Sequence, residues 1–166
     1  MKHLIIAFHL ILIAFYGQAQ TRDTEELAVQ KVLNEWHEAA ANASFKNYFN
    51  ALTEKAVFIG TDASENWTKK DFETYAKPHF DKGKAWNFKS LERHIYFSAD
   101  KKTAWFDELL DTQMKICRGS GVLIKVKKEW KIAHYVLSIA VPNEFTEEVV
   151  KVKAESDEQF IEKIKG

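Results

Sequence analysis

The stretch from Thr103 to Asn143, TAWFDELLDTQMKICRGSGVLIKVKKEWKIAHYVLSIAVPN, constrains the fold more than any other part of the chain. It holds three β-prone runs of near-equal length, separated by polar turns around Thr112-Gln113 and Lys127-Lys128-Glu129. Such spacing predicts three consecutive antiparallel strands. A sheet that only covers a core alternates apolar and polar residues. Here Asp107, Glu108, Arg118, His134 and Ser138 fall inside the runs. Mid-strand charge of this kind points to a concave sheet face lining a polar pocket.

Strict alternation along these strands gives the candidate cluster. It places Trp130, Ile132, His134, Val136 and Ser138 on one face of the last strand. It also groups Ile116, Arg118, Ser120, Val122 and Ile124, with Cys117, Gly119 and Gly121 opposite. On this reading Arg118 and His134 form the polar floor of the concave face, with Asp107 or Glu108 as counter-charge. A carboxylate beside arginine stays ionised, and a histidine in such a set can exchange protons near neutrality. His134 and Asp107 are thus the catalytic candidates; Asp107, Glu108, Arg118 and His134 are the polar ligand-binding ones. Trp36, Trp67 and Phe80 complete the ligand-binding set as apolar walls, although aromatic residues at such spacings also build cores. The convex face would then expose Tyr135, Leu137 and Ile139, an apolar surface suited to a homodimer.

A fourth strand precedes these three. WNFKSLERHIYFS, residues 86–98, alternates with Leu91, Arg93, Ile95 and Phe97 on one face and Glu92, His94 and Tyr96 on the other. Upstream, Asp23-x-x-Glu26 reads as a capping box, and Leu27, Val29, Val32, Leu33, Trp36 and Ala40 recur at helical spacing to Ala41. Ser44 opens a shorter helix with Phe45, Tyr48, Phe49 and Leu52. Ala56–Ile59 and Glu65–Trp67 form a short hairpin around the turn Gly60-Thr61-Asp62-Ala63-Ser64. Thr68-x-x-Asp71 caps a third helix, which Pro78 should distort or close. The order is helix, helix, hairpin, helix, then four long strands, an α+β arrangement.

The termini differ in kind from this middle. Lys2 and His3, the apolar run Leu4–Phe15 and the small residues of Gly17-Gln18-Ala19 read as a signal peptide over residues 1–19. Cleavage after Ala19 would export a chain starting at Gln20, periplasmic or secreted, with no stable membrane insertion. Residues 20–143 form the folded domain, and 144–166, rich in Glu, Lys and Val, a charged C-terminal helix or extension. Lys plus Arg and Asp plus Glu number 24 each, so no bulk charge draws nucleic acid. Cys117 is the only cysteine, which rules out an internal disulfide. His37, His79, His94 and His134 lack metal-ligand spacing, so neither metal nor other cofactor is expected.

Three segments carry a resemblance: WHEAAANASFKNYFNALTEKAVFIGTDASENW (Trp36–Trp67), RGSGVL (Arg118–Leu123) and WKIAHYVLSIAVPN (Trp130–Asn143). Together they resemble the SnoaL-like domains of the nuclear-transport-factor-2-like (NTF2-like) superfamily. The resemblance implies a cone, a curled antiparallel sheet wrapped on three N-terminal helices. Polar anchors without a complete proton-transfer set favour a small, partly apolar molecule bound inside, with two alternatives: acid–base chemistry on a small cyclic substrate, or a dimeric protein-interaction module. One relative, ketosteroid isomerase, uses a helix tyrosine, a strand aspartic acid and an aspartate base. Rough alignment puts its tyrosine on Trp36 and its base on Gly60, two residues short of Asp62, with Asp107 as a candidate stand-in for its strand acid. A glycine cannot abstract a proton.

Overall fold

The computed structural model describes residues 24–166, so the signal-peptide reading and the Asp23 cap lie outside the described residues. Helix α1 covers 24–41. It buries the stripe Val29, Leu33, Trp36, His37 and Ala40, the spacing that keeps one helical face against a core. Helix α2 (Phe45–Asn50) follows after a break at 42–44, where Ala43 takes a positive φ of 50°.

Six strands form one mixed sheet: β1 (Leu52–Ile59), β2 (Asn66–Thr68), β3 (Lys89–Phe97), β4 (Thr103–Thr112), β5 (Lys115–Val126) and β6 (Glu129–Ile139). Their order is β2-β1-β6-β5-β4-β3, and the sheet is curled and unclosed. The fold is α+β, as the element order predicts, and NTF2-like, as the resemblance implies. The sheet is not wholly antiparallel, because β1 runs parallel to β6 and so joins the early hairpin to the long meander.

Helix α3 (Lys69–Asp81) starts where its capping signal lies, with the Thr68 hydroxyl accepting from the Asp71 backbone N–H at 3.3 Å. It continues through Pro78 to Asp81, held by the burial of Phe72, Ala76 and Phe80. The loop from α3 runs to 88, so β3 starts later than its sequence pattern suggests. After β6 a 3-10 turn (Asn143–Phe145) leads into helix α4 (Thr146–Lys165), none of whose residues is buried.

The core lies between the helices and the inner sheet face. On β4 the inner residues are Ala104, Phe106, Glu108, Leu110 and Thr112; on β5 they are Cys117, Gly119, Gly121 and Leu123. Strand β6 breaks the alternation. Val122 pairs with His134 but Leu123 pairs with Ile132, which leaves Ala133 unpaired as a β-bulge. Trp130 and Ile132 face inward before the bulge, Tyr135 and Leu137 after it.

Candidate functional site

The bulge redraws the polar floor expected from alternation. One extra residue sends every later side chain to the opposite face. His134, Val136 and Ser138 therefore point outward, and Tyr135 and Leu137 are buried instead of forming a convex apolar surface. Arg118 is also outward, on the face opposite Cys117 and Gly119. Arg118 lies opposite Ser138 and His134 opposite Val122, so they share the outer face four rungs apart and line no interior. Asp107 is outward too; it meets His94 Nδ1 at 3.1 Å and Arg118 at 3.7 Å. The hydrogen bond to Asp107, with help from the charges of Asp107 and Glu92, raises the His94 pKa above the usual imidazole range. This surface set replaces the interior cluster that alternation predicts.

Of the two adjacent acids on β4, Glu108 is the one that faces in, with no accessible surface. Its Oε2 accepts from Arg93 Nε at 2.9 Å and Nη2 at 2.7 Å, and Arg93 is its direct cross-strand partner on β3. Its Oε1 accepts from His37 Nε2 at 2.8 Å and from the Tyr135 hydroxyl at 3.2 Å. Arg93 Nη1 donates on to Asn34 Oδ1 at 2.7 Å, tying β3 to α1. Both carboxylate oxygens are thus fully engaged by donors. Burial pushes the Glu108 pKa up, but the hydrogen bond and attraction of His37, with those of Arg93, bring it below its ordinary value. Burial and the adjacent Glu108 charge push the Tyr135 hydroxyl well above the phenol range.

Gly119 makes this arrangement possible. A Cβ there would lie 2.3 Å from the Tyr135 hydroxyl oxygen and 3.0 Å from Glu108 Cγ. The glycine beside Glu108 on β5 is the gap through which Tyr135 reaches it. His37, Arg93 and Asn34 lie outside Thr103–Asn143, and Tyr135 lies inside it but on the face that alternation makes convex. Two signals point to them: an arginine among Leu91, Ile95 and Phe97, and a histidine on the apolar stripe of α1.

The remaining candidates divide. Trp36 is core: it stacks on Tyr48 at 5.0 Å and meets Tyr135 edge-on at 4.8 Å. Its Nε1 is the buried side-chain polar atom without a partner among the described residues. Phe80 is also core, against Tyr48, Phe45 and Trp86. Trp67 instead lines a cleft of about 250 Å³ between α3, the β1–β2 turn, the 85–88 loop and the β4–β5 turn. Phe58, Phe72, Tyr75, Trp86 and Phe88 form its other aromatic walls. A larger groove of about 850 Å³ runs outside along α1, α2 and the β5–β6 turn; Lys31, Glu35, Glu38, Lys128, Glu129 and Lys131 line it together with Trp36 and Trp130. Among the described residues, no three His, Cys, Asp or Glu side chains stand together to hold a metal ion.

The same architecture occurs in solved structures of low sequence identity. A candidate dehydratase of the NTF2-like family from Streptomyces avermitilis superposes with a TM-score of 0.63 at 11% identity, covering 73% of this chain and 99% of its own. A candidate scytalone dehydratase from Novosphingobium aromaticivorans gives 0.62 at 10% identity, covering 74% and 89%. An NTF2-like protein of unknown function from Pseudomonas putida gives 0.58 at 10% identity, covering 70% and 87%. At these identities the likeness is one of fold. Comparison with curated proteins gives no match. The SnoaL-like domain family matches over residues 29–142, from the middle of α1 to the end of the sheet, and this chain belongs to that family.

Proposed function

We propose that the chain binds a small, partly apolar molecule in the cleft beneath α3. The observation that carries this reading is the lining: aromatic side chains from α3, β1, β2 and the 85–88 loop converge on one concavity of about 250 Å³. Ligand sites are typically concave and largely apolar, with a few placed polar groups, and drug-sized ligands fill about 300–1,000 Å³. The volume here suits a molecule of one or two rings. Glu108, His37, Arg93 and Tyr135 are not part of the cleft lining; the set fixes β3, β4, β6 and α1 against one another and so holds the walls.

The test is calorimetric titration of a neutral bicyclic probe, 1-naphthalenemethanol, into the wild-type protein and into Trp67→Ala. Measurable saturable binding that weakens at least about tenfold in the variant supports the cleft. Equal binding to both proteins, or none to either, contradicts it.

A second reading, acid–base chemistry on a small cyclic substrate, has one observation behind it. Phe88 lines the cleft and also packs against the His37 ring, with centroids 6.1 Å apart. A single side chain therefore separates the cleft from His37 and Glu108, and a general acid or base must come within hydrogen-bond reach of its substrate. Turnover of a cyclic hydroxy compound that disappears in a folded His37→Gln variant would favour this reading; turnover unchanged in that variant would oppose it.

A further inference from the structure

Resting on the cleft as a ligand site, we infer that its ligand carries a positive charge, an ammonium group attached to a ring, and that Glu65 reads it. The β1–β2 turn delivers this carboxylate to the edge of the aromatic walls. Gly60 N–H donates to the Glu65 carbonyl at 3.0 Å, which closes the turn. The Asp62 backbone N–H donates to Glu65 Oε2 at 3.2 Å, which fixes the carboxylate itself. Ser64 holds Asp62 in turn, through a backbone N–H bond of 2.8 Å to Asp62 Oδ1. Glu65 is thus set by the turn rather than free to swing in solvent.

Gly60 is what allows the placement. A Cβ at residue 60 would fall 2.0 Å from Glu65 Oε2 and 2.9 Å from its Cδ. Any other residue there would push the carboxylate away. Gly60 and Glu65 both line the cleft, with Phe58 and Trp67 beside them in the paired strands.

The electrostatics then favour one class of ligand. No lysine, arginine or histidine among the described residues lies within ion-pair distance of Glu65. Glu65 is half-buried, so part of its hydration is lost to the protein. The other lining side chain able to carry charge near neutrality is His79, exposed on α3. A carboxylate at the rim of an aromatic cleft attracts a cation twice, through its own charge and through the negative faces of neighbouring rings. An anion would be repelled by Glu65, and a neutral ring would gain burial alone.

The experiment compares three probes sharing one ring system: 1-naphthylmethylamine, 1-naphthalenemethanol and 1-naphthoate. Each is titrated calorimetrically at pH 8, above the ordinary histidine range, into wild type, Glu65→Gln and Gly60→Ala. The expected wild-type order is ammonium at least about tenfold tighter than alcohol, with carboxylate weakest. Both variants should lose the ammonium preference, the ratio of ammonium to alcohol affinity falling from at least about tenfold to within about twofold of one. Near-UV circular dichroism confirms that each variant keeps its aromatic packing. If Glu65→Gln disturbs that packing, Glu65→Ala at the same exposed turn replaces it. Alcohol and ammonium binding equally to wild type, or a preference that survives in both variants, overturns the charge inference and leaves the cleft standing. Failure of all three probes to bind overturns the cleft and this inference together.

Discussion

Replacing Glu108 by glutamine should cost far more stability than the loss of one atom's charge suggests. The carboxylate accepts four hydrogen bonds, two from Arg93 on one oxygen and one each from His37 and Tyr135 on the other. A glutamine offers a single acceptor oxygen, so its amide N–H groups must face one pair of donors. With its oxygen toward Arg93, the amide N–H groups face His37 Nε2 and the Tyr135 hydroxyl, both of which must switch from donating to accepting. Arg93 is 8% exposed at its side chain and cannot shed its charge, so it loses its buried counter-ion. Breaking one half of a buried pair typically costs about 3–5 kcal/mol. For a domain of this size that corresponds to a melting temperature lower by about 10–15 °C. Thermal and urea melts followed by circular dichroism measure it. Arg93→Met should cost a similar amount, and the double variant should cost less than the sum by about 1 kcal/mol or more. The pH dependence has a definite sign. Because the folded-state Glu108 pKa is depressed, its contribution is complete above the ordinary glutamate range. It is lost as pH falls through the folded-state value, so wild type should lose stability on acidification more steeply than Glu108→Gln. A Glu108→Gln variant destabilised by less than about 1 kcal/mol, or a strictly additive double variant, would refute the reasoning.

On the outer face, His94 should titrate above the usual imidazole pKa by NMR and return toward it in Asp107→Asn, since their hydrogen bond is the main cause of the shift. A His94 titration unmoved by that substitution would show that the surface contact does not form in solution. The outer sheet face presents Tyr96 and Trp105 stacked at 6.0 Å and each nearly half exposed, and we propose it as the surface of a homodimer. Light scattering should give twice the monomer mass for wild type and the monomer mass for Trp105→Glu; a monomeric wild type at tens of micromolar would oppose it. For export, we propose a mature chain that begins at Gln20, and N-terminal sequencing of protein from the producing cell that still reads Met1 would contradict this.

Order and kind of the elements are written locally, and the sequence carries them. The capping signal at Thr68 and Asp71, the helical stripe from Val29 to Ala40 and the punctuated runs after Thr103 depend on interactions within a few residues. They yield three helices, an early hairpin and four long strands without knowledge of the rest. Most of the inner face of β3 was equally legible, since Arg93 alternates with Ile95 and Phe97; Leu91, expected on the same face, is instead exposed at a bulge between Ser90 and Glu92. Which side chains meet across the core was not. One unpaired residue at Ala133 inverts the second half of β6, moving His134 outward and Tyr135 inward, and no local preference in Lys131-Ile132-Ala133-His134 announces it. The bulge is stabilised by what it brings about: Trp130 and Tyr135 both reach the interior, and Tyr135 finds Glu108 through the space left at Gly119. The counter-charges of Glu108 likewise come from a helix 71 residues away and a neighbouring strand 15 away. Local propensity sets what each segment becomes; only the packed tertiary structure, where an interior charge must find its partners, sets which residues form the site.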